Sequence, residues 1–160
     1  MRVAFDTNVL IDAIAGRADC EVAQELILEV AKDTISGVVT ANSITDIYYI
    51  ARKAIGDDAA RNAIWNLMTV FDVAAIDGEA CATALGVPMK DYEDAVLAVC
   101  ASREEADYIV SRDQGFLKAE GSPVEVISPV ALLDKIRTAR NGCSAFFMPK
   151  GGRPLWLASA

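Results

Sequence analysis

The feature that most constrains this chain is a short apolar run that ends on an acid and hands over to a helix. Val3-Ala4-Phe5 stops at Asp6, steps through Thr7-Asn8 and resumes as an apolar segment from Val9. A run this short, with helical spacing beyond it, predicts a buried parallel strand that carries Asp6 at its C-terminal end. The device recurs where Tyr108-Ile109-Val110 runs into Ser111-Arg112-Asp113. Further strands are predicted over 35–39, 71–76, 106–110 and 124–127. Helices are predicted over 9–14, 21–31 with Asp19 as cap, from Thr40 or Asn42 to Ala54, from Asp57, from Asp77 to Leu85, from Asp91 to Ser102, and from Pro129 to Arg137. This alternation predicts an α/β fold in three layers, α/β/α, around a mostly parallel central sheet. Ligands in such sheets sit in the crevice beyond the C-terminal strand ends. Two strands that each end on an Asp therefore predict one acidic pocket built from distant parts of the chain.

Composition limits the chemistry of that pocket. The 160 residues contain no histidine, which removes Ser-His-Asp and Cys-His catalysis, a histidine base and histidine-bound zinc. Carboxylates remain, and oxygen ligands favour Mg²⁺ or Mn²⁺. The net charge of −8 argues against a polyanionic partner until its distribution is considered. Residues 135–160 carry Lys135, Arg137, Arg140, Lys150 and Arg153 and no acid, so all 23 acidic residues lie in 1–134. Cys20, Cys81, Cys100 and Cys143 form no CxxC pair, which fits reduced thiols. No apolar run approaches the ~18 residues of a membrane span, and no secretory leader is visible, so a cytoplasmic protein is expected.

The helix from Asp91 is apolar all round between Ala95 and Ala101, yet its first turn carries Asp91, Glu93 and Asp94. Asp91 suits an N-cap. Glu93 and Asp94 beside a buried helix are better explained by a shared cation, because adjacent desolvated carboxylates repel. Asp46 lies one residue off the apolar stripe of its helix, and Asp12 reads as structural.

Taken together, these acids resemble a known pattern. Asp6-Thr7-Asn8-Val-Leu-Ile-Asp12 is similar to the opening motif of PIN-domain ribonucleases. Ser43-Ile-Thr-Asp46-Ile-Tyr-Tyr, Asp91-Tyr-Glu-Asp94-Ala and Val110-Ser-Arg-Asp113-Gln-Gly-Phe116 follow in the family's order. The resemblance covers about residues 2–136, which sets a PIN-like domain at 1–136 and a basic, aromatic-containing extension at 137–160. Two departures stand out: Asp46 occupies a position usually held by Glu, and Gly115 stands where many members carry a further Asp.

The resemblance implies metal-dependent hydrolysis of single-stranded RNA to 5′-phosphate and 3′-hydroxyl ends. It implies Asp6, Asp46, Asp94 and Asp113 as the catalytic acids. Asp6, Asp94 and Asp113 would ligate Mg²⁺ or Mn²⁺, with Thr7, Asn8, Ser43 and Glu93 in support. Arg112, Lys118, Arg52 and Lys53 are candidates for RNA contact. Small PIN proteins are commonly VapC-type toxins, which implies a homodimer and an antitoxin partner. The alternatives are a weakened PIN-like binding module and a haloacid-dehalogenase-type phosphotransferase. The second needs an Asp where Asn8 stands. The aromatics of 141–160 are expected to be buried against a partner copy, with Lys150 and Arg153 near the acidic groove.

Overall fold

The computed structural model describes residues 1–17 and 20–146, the last five as backbone only. Five strands, β1 (Arg2–Phe5), β2 (Ser36–Thr40), β3 (Asp72–Ala74), β4 (Tyr108–Val110) and β5 (Val126–Ile127), form one parallel sheet in the order β3-β2-β1-β4-β5. The helices are α1 (Thr7–Ala15), α2 (Cys20–Ala31), α3 (Ala41–Ile55), α4 (Asp57–Val70), α5 (Gly78–Ala84), α6 (Tyr92–Arg103), α7 (Gln114–Leu117) and α8 (Pro129–Phe146).

Strand alternation sorts the core into two halves. Val3 and Phe5 of β1 join Val39 and Val110 on one face, against Leu10, Leu26, Ile47, Leu67 and Leu132 of α1, α2, α3, α4 and α8. Ala4 points the other way, with Val38 and Ile109, onto the wholly apolar middle of α6 and onto Ala80 and Ala84 of α5. The three-layer α/β/α arrangement expected from the alternation of elements is the fold observed. One glycine is required by close approach. A Cβ on Gly37 of β2 would lie 2.6 Å from the Phe71 ring and 2.9 Å from Val30.

Several elements differ from the sequence expectation for identifiable reasons. β3 is three residues long because its one partner, β2, ends where Thr40 pairs with Ala74. α7 is an unexpected turn capped by Asp113. α8 continues to Phe146, nine residues past Arg137, so position 136 falls inside a helix. Arg137 and Arg140 hold this part along α2 through Glu25 at 2.9 Å and Glu29 at 3.6 Å. Asp19 as a cap, and the tail's Phe147, Lys150, Arg153, Trp156 and Leu157, lie outside the described residues, as do the side chains of Cys143 and Phe146.

The strand order fixes where a ligand can bind. From β1 the chain moves outward through β2 and β3, then crosses under the sheet by α5 and α6 to β4 on the other side of β1. The turn-out point lies between β1 and β4, where the loops leaving the two strands diverge and open a crevice. Asp6 follows β1 there, and Ser111-Arg112-Asp113 follows β4.

Candidate active site

A cleft of about 860 Å³ opens at this point, lined among others by Asp6, Thr7, Asn8, Ser43, Asp94 and Asp113. Three segments far apart in sequence deliver the acids. The backbone amide of Asp6 donates to the Val110 carbonyl at 3.0 Å, which locks the end of β1 to the end of β4. Asp6 caps α1, Asp94 lies in the first turn of α6, and Asp113 caps α7. The amide ends of α1 and α6 thus face the cleft and favour negative charge there.

Each acid is held differently. Asp6 is the most constrained. Asn8 Nδ2 donates to its Oδ2 at 2.6 Å, and the buried Ser111 hydroxyl donates to the same oxygen at 2.5 Å. Ser111 also accepts from the Asp113 amide at 3.0 Å, so one hydroxyl ties two of the acidic residues together. Asp113 spends Oδ1 on the amides of Gly115, at 2.7 Å, and Phe116, at 2.9 Å, leaving Oδ2 free of its capping role. Asp94 takes no hydrogen bond from any described residue, and the capping of α6 falls to Asp91.

The electrostatics follow from this crowding. Desolvation pushes the Asp94 carboxyl up to about 7, with the charges of Asp91, Asp6, Asp113 and Glu93 adding to it. Asp6 is also raised, first by burial and then by the Asp113 charge, against the opposing hydrogen bonds from Ser111 and Asn8. Glu93 is raised by burial, then by Asp46, Asp6 and Asp91. Desolvated acids that oppose one another's ionisation form a donor set suited to a hard divalent cation, whose charge removes the conflict. No three acidic or thiol side chains among the described residues already surround a common ion position. The donors therefore match such a cation in chemistry without being drawn together around one.

A second polar row borders the acids. Thr40 donates to Asn42 Oδ1 at 2.7 Å, and a hydroxyl has one proton, so Ser43 must donate to Thr40 at 2.8 Å and Thr7 to Ser43 at 2.8 Å. This chain fixes the start of α3 against the start of α1.

The other sequence candidates take varied places. Asp46 shares a helical stripe with Asn42 and Ile50, which line the cleft, but its own side chain is exposed and is not part of the lining. Its charge is felt at Glu93. Lys118 lines the cleft. Arg112 does not: its Nε binds Asp12 Oδ2 at 2.8 Å, and Asp12 is 3% exposed, a buried structural acid as its position on α1 suggests. Arg52 is drawn to Asp57 at 3.4 Å, and Lys53 stands exposed on the last turn of α3, away from the lining. Sequence reasoning missed Ser111, Arg17 and Lys90. Ser111 was legible as a hydroxyl between two strand-end acids. Arg17 and Lys90 lie in loops, where no periodicity marks them.

A PIN-domain family model matches residues 2–115. The chain belongs to the PIN-domain family. Solved structures of similar fold agree at low identity. Mycobacterium tuberculosis VapC20, described as a sarcin-ricin loop cleaving toxin, is 16% identical with a TM-score of 0.58, over 71% of this chain and 92% of that one. Rickettsia felis VapBC2, bound to a DNA fragment from its promoter, is 13% identical with a TM-score of 0.58, over 80% and 98%. A Klebsiella pneumoniae toxin–antitoxin complex is 19% identical with a TM-score of 0.57, over 79% and 97%. No curated protein sequence matches the chain.

Proposed function

We propose that this PIN-domain protein is a Mg²⁺- or Mn²⁺-dependent endoribonuclease that cleaves single-stranded RNA, and that it is the toxin of a toxin–antitoxin pair. The observation that carries the reading is the meeting of Asp6, Asp94 and Asp113, from three distant segments, on one cleft at the turn-out point of a PIN-family sheet. The VapC toxins and VapBC complexes that share the fold support the toxin assignment and an antitoxin partner. A reducing cytoplasm suits the unpaired Cys20, Cys81 and Cys100. Among the described residues no helix is long and apolar enough to cross a membrane.

Asp6, Asp94 and Asp113 would hold the metal, which supplies a more acidic bound water and charge neutralisation at the phosphate. Ser111 and Asn8 keep the Asp6 carboxylate in one orientation. Asp94, whose carboxyl the crowded site pushes up to about 7, would serve as a ligand in its carboxylate form. Asn8 lines the cleft beside Asp6, where the second proton of its Nδ2 is left for a scissile phosphate, while Thr7 gives its hydroxyl proton to Ser43 and holds the start of α3 in place. Asp46 and Glu93 contribute charge at the rim.

Labelled single-stranded RNA incubated with Mn²⁺ should be cut to products with 5′-phosphate ends, and EDTA should stop the reaction. Asp94→Asn should lower the rate by at least ~10²-fold, because a lost ligand forfeits several kcal/mol of transition-state stabilisation. Undiminished cleavage in EDTA would refute the mechanism.

One observation favours a second reading, a PIN-like module that binds without cutting. Asp46 stands outside the cleft lining, and no three acids are yet gathered round one point among the described residues. Calorimetric titration separates the two: a silent module takes up Mn²⁺ weakly, and Asp94→Asn leaves that uptake unchanged. The protein is further proposed to be a homodimer. Light scattering of the intact chain should then give the mass of two copies, and a monomer excludes that assembly.

A further inference from the structure

The cleft is lined by acids, which repel a nucleic-acid backbone, so the groups that attract phosphate must be found elsewhere on its wall. Among the described residues nine of the thirteen basic side chains are engaged. Arg2, Lys32, Arg52, Arg61, Arg103, Arg112, Arg137 and Arg140 form ion pairs, and the Lys135 ammonium lies over the Tyr108 ring. Four are not engaged with any described residue: Arg17, Lys53, Lys90 and Lys118. Three of these four, Arg17, Lys90 and Lys118, line the cleft.

This distribution is unexpected for ordinary solvated charges. The sequence has 23 acids for 15 bases, and the same cleft is lined by Asp91, Glu93 and Glu120. Cations so placed would normally satisfy the neighbouring acids, as Arg112 does with Asp12. Instead they come from three separate segments and have no ionic partner among the described residues. Arg17 follows α1, Lys90 precedes the Asp91 cap of α6, and Lys118 ends α7. Each follows or precedes an element that also supplies one of the acids, so the cations and the carboxylates are positioned together.

We propose that Arg17, Lys90 and Lys118 are the phosphate-binding residues of the cleft, holding backbone phosphates of single-stranded RNA next to the carboxylates. The proposal rests on the reading of the cleft as the RNA site. It replaces Arg112 and Arg52, whose charges are committed to Asp12 and Asp57. Lys53, without an ionic partner among the described residues and outside the lining, is the internal control.

The test is fluorescence anisotropy of a labelled single-stranded RNA, measured in Mn²⁺ across a range of salt in an Asp94→Asn background. Each phosphate contact on a single strand contributes about 0.7 to the slope of log affinity against log salt. Arg17→Gln, Lys90→Gln and Lys118→Gln should each make the slope shallower by about that amount. Lys53→Gln should leave it where it was. Equal effects of Lys53→Gln and the cleft variants, or no change in slope for any cleft variant, would overturn the assignment. A triple variant that retains Asp94 should also lose kcat/KM on RNA; if it cleaves like the parent, the assignment fails while the nuclease reading stands. Slopes that shift as expected in a protein that never cleaves RNA would leave the assignment standing and overturn the nuclease reading instead.

Discussion

Asp94 shows how one residue can couple ionisation, stability and metal binding. Its carboxyl has an ordinary value of 3.8 and is held near 7 in the fold, first by desolvation and then by the surrounding acids. A folded value above the unfolded one means that the metal-free native state favours the protonated acid. The associated stability is complete below about pH 4 and is lost as the pH rises through about 7. Asp94→Asn removes a half-buried charge, so the metal-free variant should melt above the parent at about pH 8, with the gap narrowing towards pH 4. Thermal melts in EDTA at several pH values check this, and a gap independent of pH contradicts it. The neighbouring departure from the family pattern, Gly115, is explained by crowding. A Cβ there would stand 2.9 Å from Asp113 Oδ1, the oxygen that caps α7. Gly115→Asp should therefore displace Asp113 and weaken Mn²⁺ binding by about 10- to 100-fold, the usual cost of disturbing a ligand's supporting contacts. Calorimetry that shows tighter binding would mean that the added carboxylate finds its own place.

At the scale of elements, the two ends of the sheet do different work. The C-terminal ends of β1 and β4 carry the acids. The opposite end is stitched by Arg2, whose guanidinium reaches Asp72 at 2.6 Å, Ser36 at 2.9 Å and the Glu104 carboxylate at 2.6 Å, joining β1, β2, β3 and the end of α6. Its Nε also donates to the Glu104 carbonyl at 2.8 Å. A half-buried network of this kind stabilises more than an isolated surface pair. Arg2→Met should lower the melting temperature and leave Mn²⁺ affinity as it was, because none of these partners lines the cleft. Loss of metal binding in that variant would show that the two ends of the sheet are coupled. α8 illustrates a second element-scale effect. Beyond Ile136 it runs along α2, where Arg137 reaches Glu25 and Arg140 the buried Glu29.

At the scale of the molecule, the cleft exists only when the chain is folded, since residues 6, 94 and 113 meet only through the sheet order. A cation held by them binds the native state and not the unfolded chain. Melting temperature should therefore rise with Mn²⁺ concentration, each tenfold increase beyond the dissociation constant adding about 1.4 kcal/mol. Asp94→Asn should abolish that dependence, and a thermal-shift series tests it. A rise that persists in Asp94→Asn would place the ion elsewhere.

The sequence by itself determined the alternation of strands and helices, the parallel sheet, and the strand-end positions of Asp6 and Asp113. These follow from local patterning: short apolar runs, caps such as Asp77 and Asp91, and breaks such as Gly56. It also marked Asp94, because an acid on a buried helix conflicts with its surroundings. Tertiary structure decided the rest. That β4 and not β2 or β3 carries the second acid beside Asp6 depends on strand order, which no local signal encodes. Whether Asp46 enters the cleft depends on how α3 rotates as Ser43, Ile47 and Ala51 are buried. Whether a basic residue is free depends on its neighbours in space. Arg112 and Asp12 are a hundred positions apart in the chain and 2.8 Å apart in the fold, and only that contact separates a committed charge from an available one.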